Sequence, residues 1–372
     1  MGEAYIVAAA RTAGGRKGGK VSGWHPADLG GVILDALVDR TGADPALVED
    51  VIMGCVGQVG EQGLNVARNA ILASKLPESV PGTSVDRQCG SSQQAIHFAA
   101  ATVMSGAMDI VIAAGVESMS RVPMGLSSQL PYKNGFGTYK SPRIEDKYPG
   151  IHSWAAEMMA KKYDLSRAEL DAFALQSHQR AMAATKAGKF AAEIVPIDVK
   201  LEDGKTERHE VDEGIRWDAS LESIGSVKLL AEDGRITAAT SSQICDGAAG
   251  VMIVNERGLK ALGVEPLARI HHMTVIGHDP VIMLEAPIPA TLKALERAGM
   301  KIGDIDLYEV NEAFASVPTA WLKVTGGDAS RLNGAKLMTT LIHALKDRGG
   351  RYGLQTMCEG GGLANVTIVE RL

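Results

Sequence analysis

The chain has 372 residues, a formal net charge of −6, 45% hydrophobic residues and only 4% aromatic residues. Its length suits two domains or one duplicated core with an insertion, and its negative charge argues against a nucleic-acid partner, because phosphate binding needs a basic surface. No apolar run approaches the roughly 20 residues that span a bilayer, and the N-terminal residues are not ordered as in a signal peptide, so we expect a cytoplasmic protein without a membrane partner.

The first 120 or so residues alternate between short apolar runs and amphipathic segments. Apolar runs predict buried strands, and apolar residues at helical spacing predict helices. The predicted strands cover residues 4–10, 48–56 and 109–117, and the predicted helices cover residues 25–40 and 95–104. This alternation predicts a layered α/β fold with a largely parallel sheet.

The next segment has a different composition. Residues 125–150 are rich in Gly, Pro, Ser, Lys and Tyr without a clear period, and residues 196–236 are charged and loop-rich. Between them, amphipathic helices are predicted near residues 153–163 and 166–187, the second opened by a capping-box pattern. We interpret residues 124–236 as an insertion that covers a site.

Strand–helix alternation resumes after the insertion. The predicted strands and helices are, in order, the strand 247–255, the helix 289–299, the strand 305–311, the helix 334–348, the strand 352–358 and a closing strand from residue 365. Both halves of the chain therefore show the same alternation, which suggests a duplicated layered unit. The sequence similarity between the halves is too weak to prove it.

The chain contains four cysteines, which are Cys55, Cys89, Cys245 and Cys358. None of them forms a CxxC pair, and no Cys/His cluster has metal-binding spacing, so we expect no metal site and no disulfide framework. Buried cysteines often act as small hydrophobic residues. That role is the alternative to a reactive thiol for each of the four.

Cys89 lies in VDRQCGSSQQAIHFA (85–99), where a polar approach leads straight into a helix. Unpaired backbone N–H groups and the helix dipole at such a start favour a thiolate, which would lower the thiol pKa. Gly90 removes a side chain that would crowd an incoming acyl group. The spacing alone leaves a structural cysteine at a helix start as the alternative.

Two further motifs place polar chemistry after strands. Cys358 precedes Glu359 and three glycines, and polyglycine permits unusual φ values that can aim several N–H groups at one anion. Asn311 ends an apolar strand at its carboxyl end, where α/β sheets usually place their sites. The alternatives are a plain glycine-rich turn in the first case and a cap for the following helix in the second.

Several motifs taken together resemble the ordered signatures of the thiolase family. They are VDRQCGSSQQA (85–95), GVESMSRVPM (115–124), TAATSSQICDGAAG (237–250), VNEAFAS (310–316) and CEGGG (358–362). The resemblance covers nearly the whole chain in the family's order. The wording DRQCGSSQQ is similar to degradative thiolases of β-oxidation and lipid degradation, which act on fatty-acid or steroid side-chain CoA esters.

The resemblance implies a fold of two similar βαβαβαββ halves that form a five-layered α-β-α-β-α core with an inserted loop domain. The N-terminal half would cover residues 1–256, including the insertion at about 124–236. The C-terminal half would cover residues 262–372. Family membership also implies a homodimer or a homotetramer.

A family mechanism follows from the same resemblance. Cys89 would attack a 3-ketoacyl-CoA and carry the acyl group as a thioester, and Cys358 would move the proton. One oxyanion hole would use the backbone N–H groups of Cys89 and Gly360, and the other would use a histidine and a water held by Asn311. The chain would then be an acyltransferase that yields acetyl-CoA and a shortened acyl-CoA, or runs the reverse condensation.

Binding residues are implied as well. Ser242 matches a family serine near the pantetheine arm of CoA, and Phe314 would lie near the acyl pocket. Acyl-CoA and CoA would be substrates, and no cofactor is expected. A ketoacyl-synthase relative is a weaker alternative, because those enzymes use paired histidines that this chain does not show.

The chain departs from the family at one place. Thiolases carry a segment with Gly-His-Pro before the last helix, and here roughly fifteen residues are absent at Asn333–Gly334. The absent histidine would activate the nucleophile. We expect no replacement from the GHDP loop (277–280), from His343, which the helical pattern places towards solvent, or from His271 and His272, which we interpret as structural.

Two hypotheses follow from this departure. In the first, the natural protein contains the segment and is an active thiolase. In the second, the deletion is real and the chain is a catalytically impaired CoA-binding relative of the enzymes.

Overall fold

The computed structural model describes residues 2–150, 154–201, 203–332 and 337–372. The expected deletion point at Asn333–Gly334 lies outside these described residues. Strands of both halves form one continuous mixed sheet, and helices pack on it as the apolar patterns predict.

The first half begins with the five predicted strands and helices and with three elements that were not predicted. In chain order they are β1 (Tyr5–Thr12), β2 (Gly15–Arg16), α1 (Pro26–Thr41), β3 (Asp50–Gly54), α2 (Val66–Leu72), β4 (Gly82–Val85), α3 (Ser91–Ser105) and β5 (Ile110–Ser118). The elements that were not predicted are β2, α2 and β4, and α3 starts four residues earlier than predicted. The helix α1 begins with Pro26 at its first position and ends at Gly42, whose positive φ of 63° closes it.

The insertion contains more regular structure than its composition predicts. Its elements are α4 (Leu126–Lys133), α5 (Pro142–Lys147), α6 (Ala155–Lys162), α7 (Arg167–Lys186), β6 (Ile194–Val195), β7 (Ile197–Lys200), β8 (Thr206–His209) and α8 (Leu221–Gly225). The capping box predicted for α7 is present, with Ser166 and Glu169 bonding reciprocally. The short helices α4 and α5 bury no residue, so the sequence contains no apolar period from which they could be predicted.

The remaining elements complete the first half and build the second. They are β9 (Cys245–Val254), α9 (Glu256–Leu262), β10 (Ala268–Gly277), α10 (Pro287–Ala298), β11 (Leu307–Val310), α11 (Ser316–Thr325), α12 (Leu337–Arg348), β12 (Tyr352–Glu359) and β13 (Leu363–Arg371). The strand β10 and the helices α9 and α11 were not predicted from the sequence.

The order of the strands confirms the duplication. In the first half the order is β1-β9-β5-β3-β4, and in the second it is β10-β13-β12-β11, with β1 and β10 joining the two. Each half has two antiparallel pairings followed by a parallel one, β5 with β3 and β12 with β11. The expected largely parallel sheet is therefore wrong. The strand β9 lies antiparallel to both β1 and β5, and β13 lies antiparallel to both β10 and β12, which it follows directly through a turn.

Three apolar clusters show the five layers. One cluster lies between α1, α2 and the first-half strands, and a second lies between α10, α11 and the second-half strands. The third joins α3 and α12 to strands of both halves. The helices α3 and α12 are thus the central layer, as the resemblance implies. Among the residues that the structure describes, no helix is long and apolar enough to cross a membrane.

Gly54, at the end of β3, lets the start of α3 approach closely, and replacing it with alanine tests that packing. The added Cβ would lie 2.2 Å from the backbone nitrogen of Ser92. We expect Gly54→Ala to lower the free energy of unfolding by about 1–3 kcal/mol because α3 must shift. Guanidinium denaturation measures it. Gly23→Ala is the control, since no atom lies within 4 Å of its new Cβ; equal losses in both variants would contradict the contact.

Candidate active site

Cys89 sits on a tight turn between β4 and α3. The residue before it, Gln88, has a positive φ of 49°, a conformation that is strained for a residue with a side chain. Ser91 fastens the turn, since its hydroxyl donates to the Gln88 carbonyl at 2.6 Å and accepts from the Arg87 N–H at 2.9 Å. The turn leaves the Cys89 side chain exposed.

Cys358 lies near the end of β12, just before a second tight turn that leads into β13. Glu359 is paired with Leu363, so three glycines form the turn. Gly361 and Gly362 have φ values of 79° and 76°, as the polyglycine motif predicts. Cys358 itself is only 1% exposed.

The two turns pack directly against each other. A Cβ on Gly90 would lie 1.9 Å from a carboxyl oxygen of Glu359, and a Cβ on Gly360 would lie 2.9 Å from the Gln88 side chain. Gly90 therefore leaves no room for a side chain beside the buried carboxyl, whereas at Gly360 the exposed end of the Gln88 side chain would have to move aside. The predicted neighbourhood of the Cys89 and Cys358 turns is present.

A buried polar network fixes this packing. The Gln93 side chain on α3 donates to the Thr367 hydroxyl at 2.7 Å and accepts from the Gln355 amide at 3.1 Å. One residue on, Gln94 accepts from the Asn365 amide at 3.3 Å. All five side chains are at most 3% exposed, and buried amides cost free energy unless they are paired. The network therefore ties the Cys89 helix to the Cys358 hairpin.

Asn311 joins the site from the neighbouring strand. It follows β11, which runs parallel to β12, and its N–H donates to the Thr356 carbonyl at 3.0 Å. Its side-chain Nδ2 lies 3.5 Å from Cys358 Sγ. Asn311 thus contacts the cysteine that the resemblance assigns to proton transfer.

The electrostatics of Cys89 differ from the sequence expectation. Desolvation by the surrounding protein atoms raises the pKa of its thiol, although its surface is exposed, and the carboxyls of Glu359 and Asp86 raise it further. The backbone N–H groups of Cys89 and Gly360 both point at the sulfur and lower the pKa. The expectation that the pKa of Cys89 is lowered is therefore wrong. The two amides act in the predicted direction, but desolvation outweighs them.

The second turn holds two more acids. Burial raises the pKa of Cys358, and its neighbour Cys89 raises it further, while Asn311 opposes the shift. Glu359 is fully buried, and neither carboxyl oxygen accepts a hydrogen bond of good geometry, the weak contact with the Asn365 N–H included. Desolvation raises the pKa of Glu359 to about 8, against the smaller opposing effects of Arg87 and the Asn365 N–H.

The two predicted substrate-binding residues lie close together in the chain fold. The Ser242 N–H donates to the Ala313 carbonyl at 2.9 Å, and Ser241 forms an isolated antiparallel β-bridge with Phe314. Ser242 and Asn311 line one cavity of about 700 Å³. Phe314 packs half-buried against the second apolar cluster.

Three histidines outside the family's Gly-His-Pro motif make contacts of their own. His97 is buried against the Thr367 hydroxyl at 2.8 Å, and His278 of the GHDP loop contacts Glu285 at 2.9 Å. The prediction that His343 faces solvent is wrong, because it is half-buried and lines the same cavity as Asn311. Helical spacing identifies a face, and here the polar face of α12 borders a cavity.

Two features of the site were missed at the sequence level. Glu359 stood within the CEGGG motif, but the pattern does not show that it is buried against Gly90. The amides of Gln93 and Gln94 stood within the SSQQ motif, where their partners on β12 and β13 are far away in sequence. Paired glutamines on the buried stripe of a helix were the signal that could have indicated a polar network.

Comparisons with known families agree with this geometry. Residues 4–257 match the family described as thiolase, N-terminal domain, and residues 264–371 match thiolase, C-terminal domain. A steroid 3-ketoacyl-CoA thiolase from Mycobacterium tuberculosis is 48% identical over 396 aligned positions, which cover all of this chain and 95% of the relative. A 3-ketoacyl-CoA thiolase from Yersinia pestis is 40% identical over 394 positions, which cover both chains completely.

Solved structures show the same relationship. The acetyl-CoA acetyltransferase of Bacillus anthracis superposes with a TM-score of 0.90 at 34% identity, covering 100% of this chain and 99% of the other. Human mitochondrial 3-ketoacyl-CoA thiolase superposes with a TM-score of 0.89 at 32% identity and the same coverage. With both halves matched and full-length relatives well above 30% identity, the chain belongs to the thiolase family of acyltransferases.

Proposed function

We propose that this chain cleaves 3-ketoacyl-CoA thioesters with CoA, using Cys89 as the nucleophile. The observation that carries the proposal is the convergence of Cys89, Cys358 and Asn311 with the amides of Cys89 and Gly360 in one place. Two relatives are named as 3-ketoacyl-CoA thiolases, one of them acting on steroid substrates. Their names support the substrate class.

The reaction divides into two halves. The Cys89 thiolate attacks the 3-keto carbon, and the oxyanion is held by the N–H groups of Cys89 and Gly360. The bond between carbons 2 and 3 breaks, and its electron pair forms the acetyl-CoA enolate, which takes a proton from Cys358. A CoA thiol, deprotonated by Cys358, then attacks the thioester and releases the shortened acyl-CoA.

The proposal assigns the remaining parts by position. Asn311 holds Cys358, Ser242 receives the pantetheine arm and Phe314 borders the acyl chain. CoA is a substrate, and no cofactor or metal takes part. We also propose that the protein acts in the cytoplasm as a homodimer or homotetramer.

The repeated architecture supports a deletion in the second half. In the first half, β4 pairs in parallel with β3 and leads through the Cys89 turn into α3. In the second half, the place of β4 is taken by a single parallel bridge between Tyr308 of β11 and Leu332. The counterpart of the Cys89 turn would follow Leu332, at the proposed Asn333–Gly334 junction. The aligned spans of 396 and 394 positions, longer than the 372 residues of the chain, agree with missing residues.

A second candidate function follows from this deletion. Without the segment that would supply the histidine, and with the pKa of Cys89 raised, the 372-residue chain would bind CoA esters but turn them over slowly. Losing one oxyanion donor typically costs about 10²–10³-fold in rate. The two candidates differ in turnover and share the CoA site.

Replacing the nucleophile tests the proposed function. We expect Cys89→Ala to lower the rate of acetoacetyl-CoA thiolysis by at least about 10³-fold, because no thioester can form. Absorbance of the substrate enolate measures the rate. Cys245→Ala is the matched control, since Cys245 is also exposed, and it should retain activity.

Alkylation provides the independent measurement. Iodoacetamide should label Cys89 faster than the buried Cys55, and an acyl-CoA should protect Cys89. Equal labelling of the two thiols, or full activity of the Cys89→Ala variant, would refute the assignment. Calorimetric binding of CoA without turnover would favour the impaired relative.

Restoring the missing segment separates the two candidates. The cavity of about 700 Å³ beside Asn311 is bordered by Leu332 and by His343, on either side of the junction, and so offers room for part of an insert. Inserting the corresponding Gly-His-Pro segment of the Mycobacterium relative should raise the thiolysis rate by about 10²–10³-fold.

An insert whose histidine is replaced by alanine serves as the control and should give little gain. If the natural protein already has a mass above the 39.2 kDa of this chain, the segment is native. A correctly folded insert without any gain would leave the CoA-binding role.

A further inference from the structure

Glu359 is a buried carboxyl without an assigned role. It ends β12 next to Cys358, is 0% exposed, and neither of its oxygens accepts a well-formed hydrogen bond, although the nearby Asn365 N–H favours its anion weakly. A carboxylate buried without donors is costly, and proteins usually pair it or keep it protonated. The burial of this carboxyl beside two cysteines therefore needs a physical explanation.

The carboxyl is wedged against the turn that carries Cys89. The missing Cβ of Gly90 leaves the space that a carboxyl oxygen of Glu359 occupies. Gly90 is the N-cap of α3 and directly follows Cys89, so the carboxyl lies at the helix start that also adjoins Cys89. Any charge on Glu359 is consequently felt by the thiol, with little water between the two groups.

Few other charges face this pair. From its own turn, Asp86 acts on Cys89 in the same sense as Glu359 but is exposed. From the second turn, Cys358 acts on Cys89 as a like charge when ionised. Arg87 is the cation that acts on Glu359, and its buried Nε has no hydrogen-bond partner. The site therefore holds four acids, which are Cys89, Cys358, Glu359 and Asp86, and one cation, Arg87.

We propose that Glu359 is a positioning residue that sets the charge state of Cys89: protonated, it lets the thiolate form, and ionised, it holds Cys89 as the thiol. This proposal rests on the proposed function, in which the thiolate is the nucleophile. Glu359 and Cys89 then compete for one negative charge, and alkaline conditions do not activate the thiol as they activate an isolated one.

The pH dependence of alkylation tests the competition. The pKa of Glu359, raised from 4.5 to about 8, keeps it neutral below about pH 7, so wild type and Glu359→Gln should react with iodoacetamide at similar rates there. Above pH 8 only the wild type gains a carboxylate. The reaction rate of the wild type should then rise only gradually with pH. The rate of Glu359→Gln should follow one steep titration curve, with a midpoint about half a pH unit or more below that of the wild type.

Two variants control the measurement, which follows the Cys89 peptide by mass spectrometry between pH 6 and 10. Glu359→Asp keeps the charge and should retain the gradual rise of the rate with pH. Glu312→Gln removes a carboxyl that is not among the groups that shift the pKa of Cys89. It should give the same rates as the wild type. Thermal unfolding confirms that each variant is folded.

Several results would overturn the proposal. Parallel profiles for wild type and Glu359→Gln at every pH would do so, as would a Glu359→Asp variant that follows Glu359→Gln. Failure of the proposed function has a different signature, because Cys89→Ala would then remain active whatever the alkylation profile shows.

Discussion

The buried amide network between α3 and the β12–β13 hairpin is the constraint on which the site depends. Gln93 and Gln94 bond to side chains of the second half across the central layer. A slip of α3 along its axis would leave several buried amides unpaired, at about 1–3 kcal/mol for each. The network thus fixes the axial position of α3, and with it the height of Cys89 relative to Cys358.

Glycines then allow the two turns to meet at that height. Gly54 brings β3 against the start of α3, Gly90 accepts the carboxyl of Glu359, and Gly360 accepts the side chain of Gln88. Each of these positions would clash with a Cβ, and none of the three needs a left-handed φ. Close approach, rather than conformational freedom, is therefore what glycine supplies at these places.

The sequence predicted the strands and helices of the core because their signals are local. The runs before Arg11 and after Asp109 are apolar, and the corresponding strands β1 and β5 are largely buried. The direction of pairing is not local, so the strand β9 was predicted but its antiparallel pairing was not. For the same reason the burial of Glu359 against Gly90 and the cavity beside His343 could not be read from patterns, whereas the positive φ values of Gly361 and Gly362 could.

The duplicated architecture gives the site a counterpart in the first half. Cys55 follows β3 as Asn311 follows β11, and Glu117 occupies the place on β5 that Cys358 occupies on β12. There the Cys55 sulfur lies 3.8 Å from the Glu117 carboxyl, which also accepts from the N–H groups of Val56 and Gly57.

Burial raises the pKa of both cysteines, but their partner side chains act on it in opposite directions. Burial and the Glu117 carboxylate raise the pKa of Cys55. Because this carboxylate already accepts hydrogen bonds from two backbone N–H groups, the pair is a structural link. In the second half the cysteine meets an amide donor in Asn311, which stabilises its anion. The same pair of positions thus holds a thiol beside an acceptor in the first half and a thiol beside a donor in the second. In the proposed mechanism, the partner residue, more than the fold, therefore decides which half carries the proton-transferring thiol.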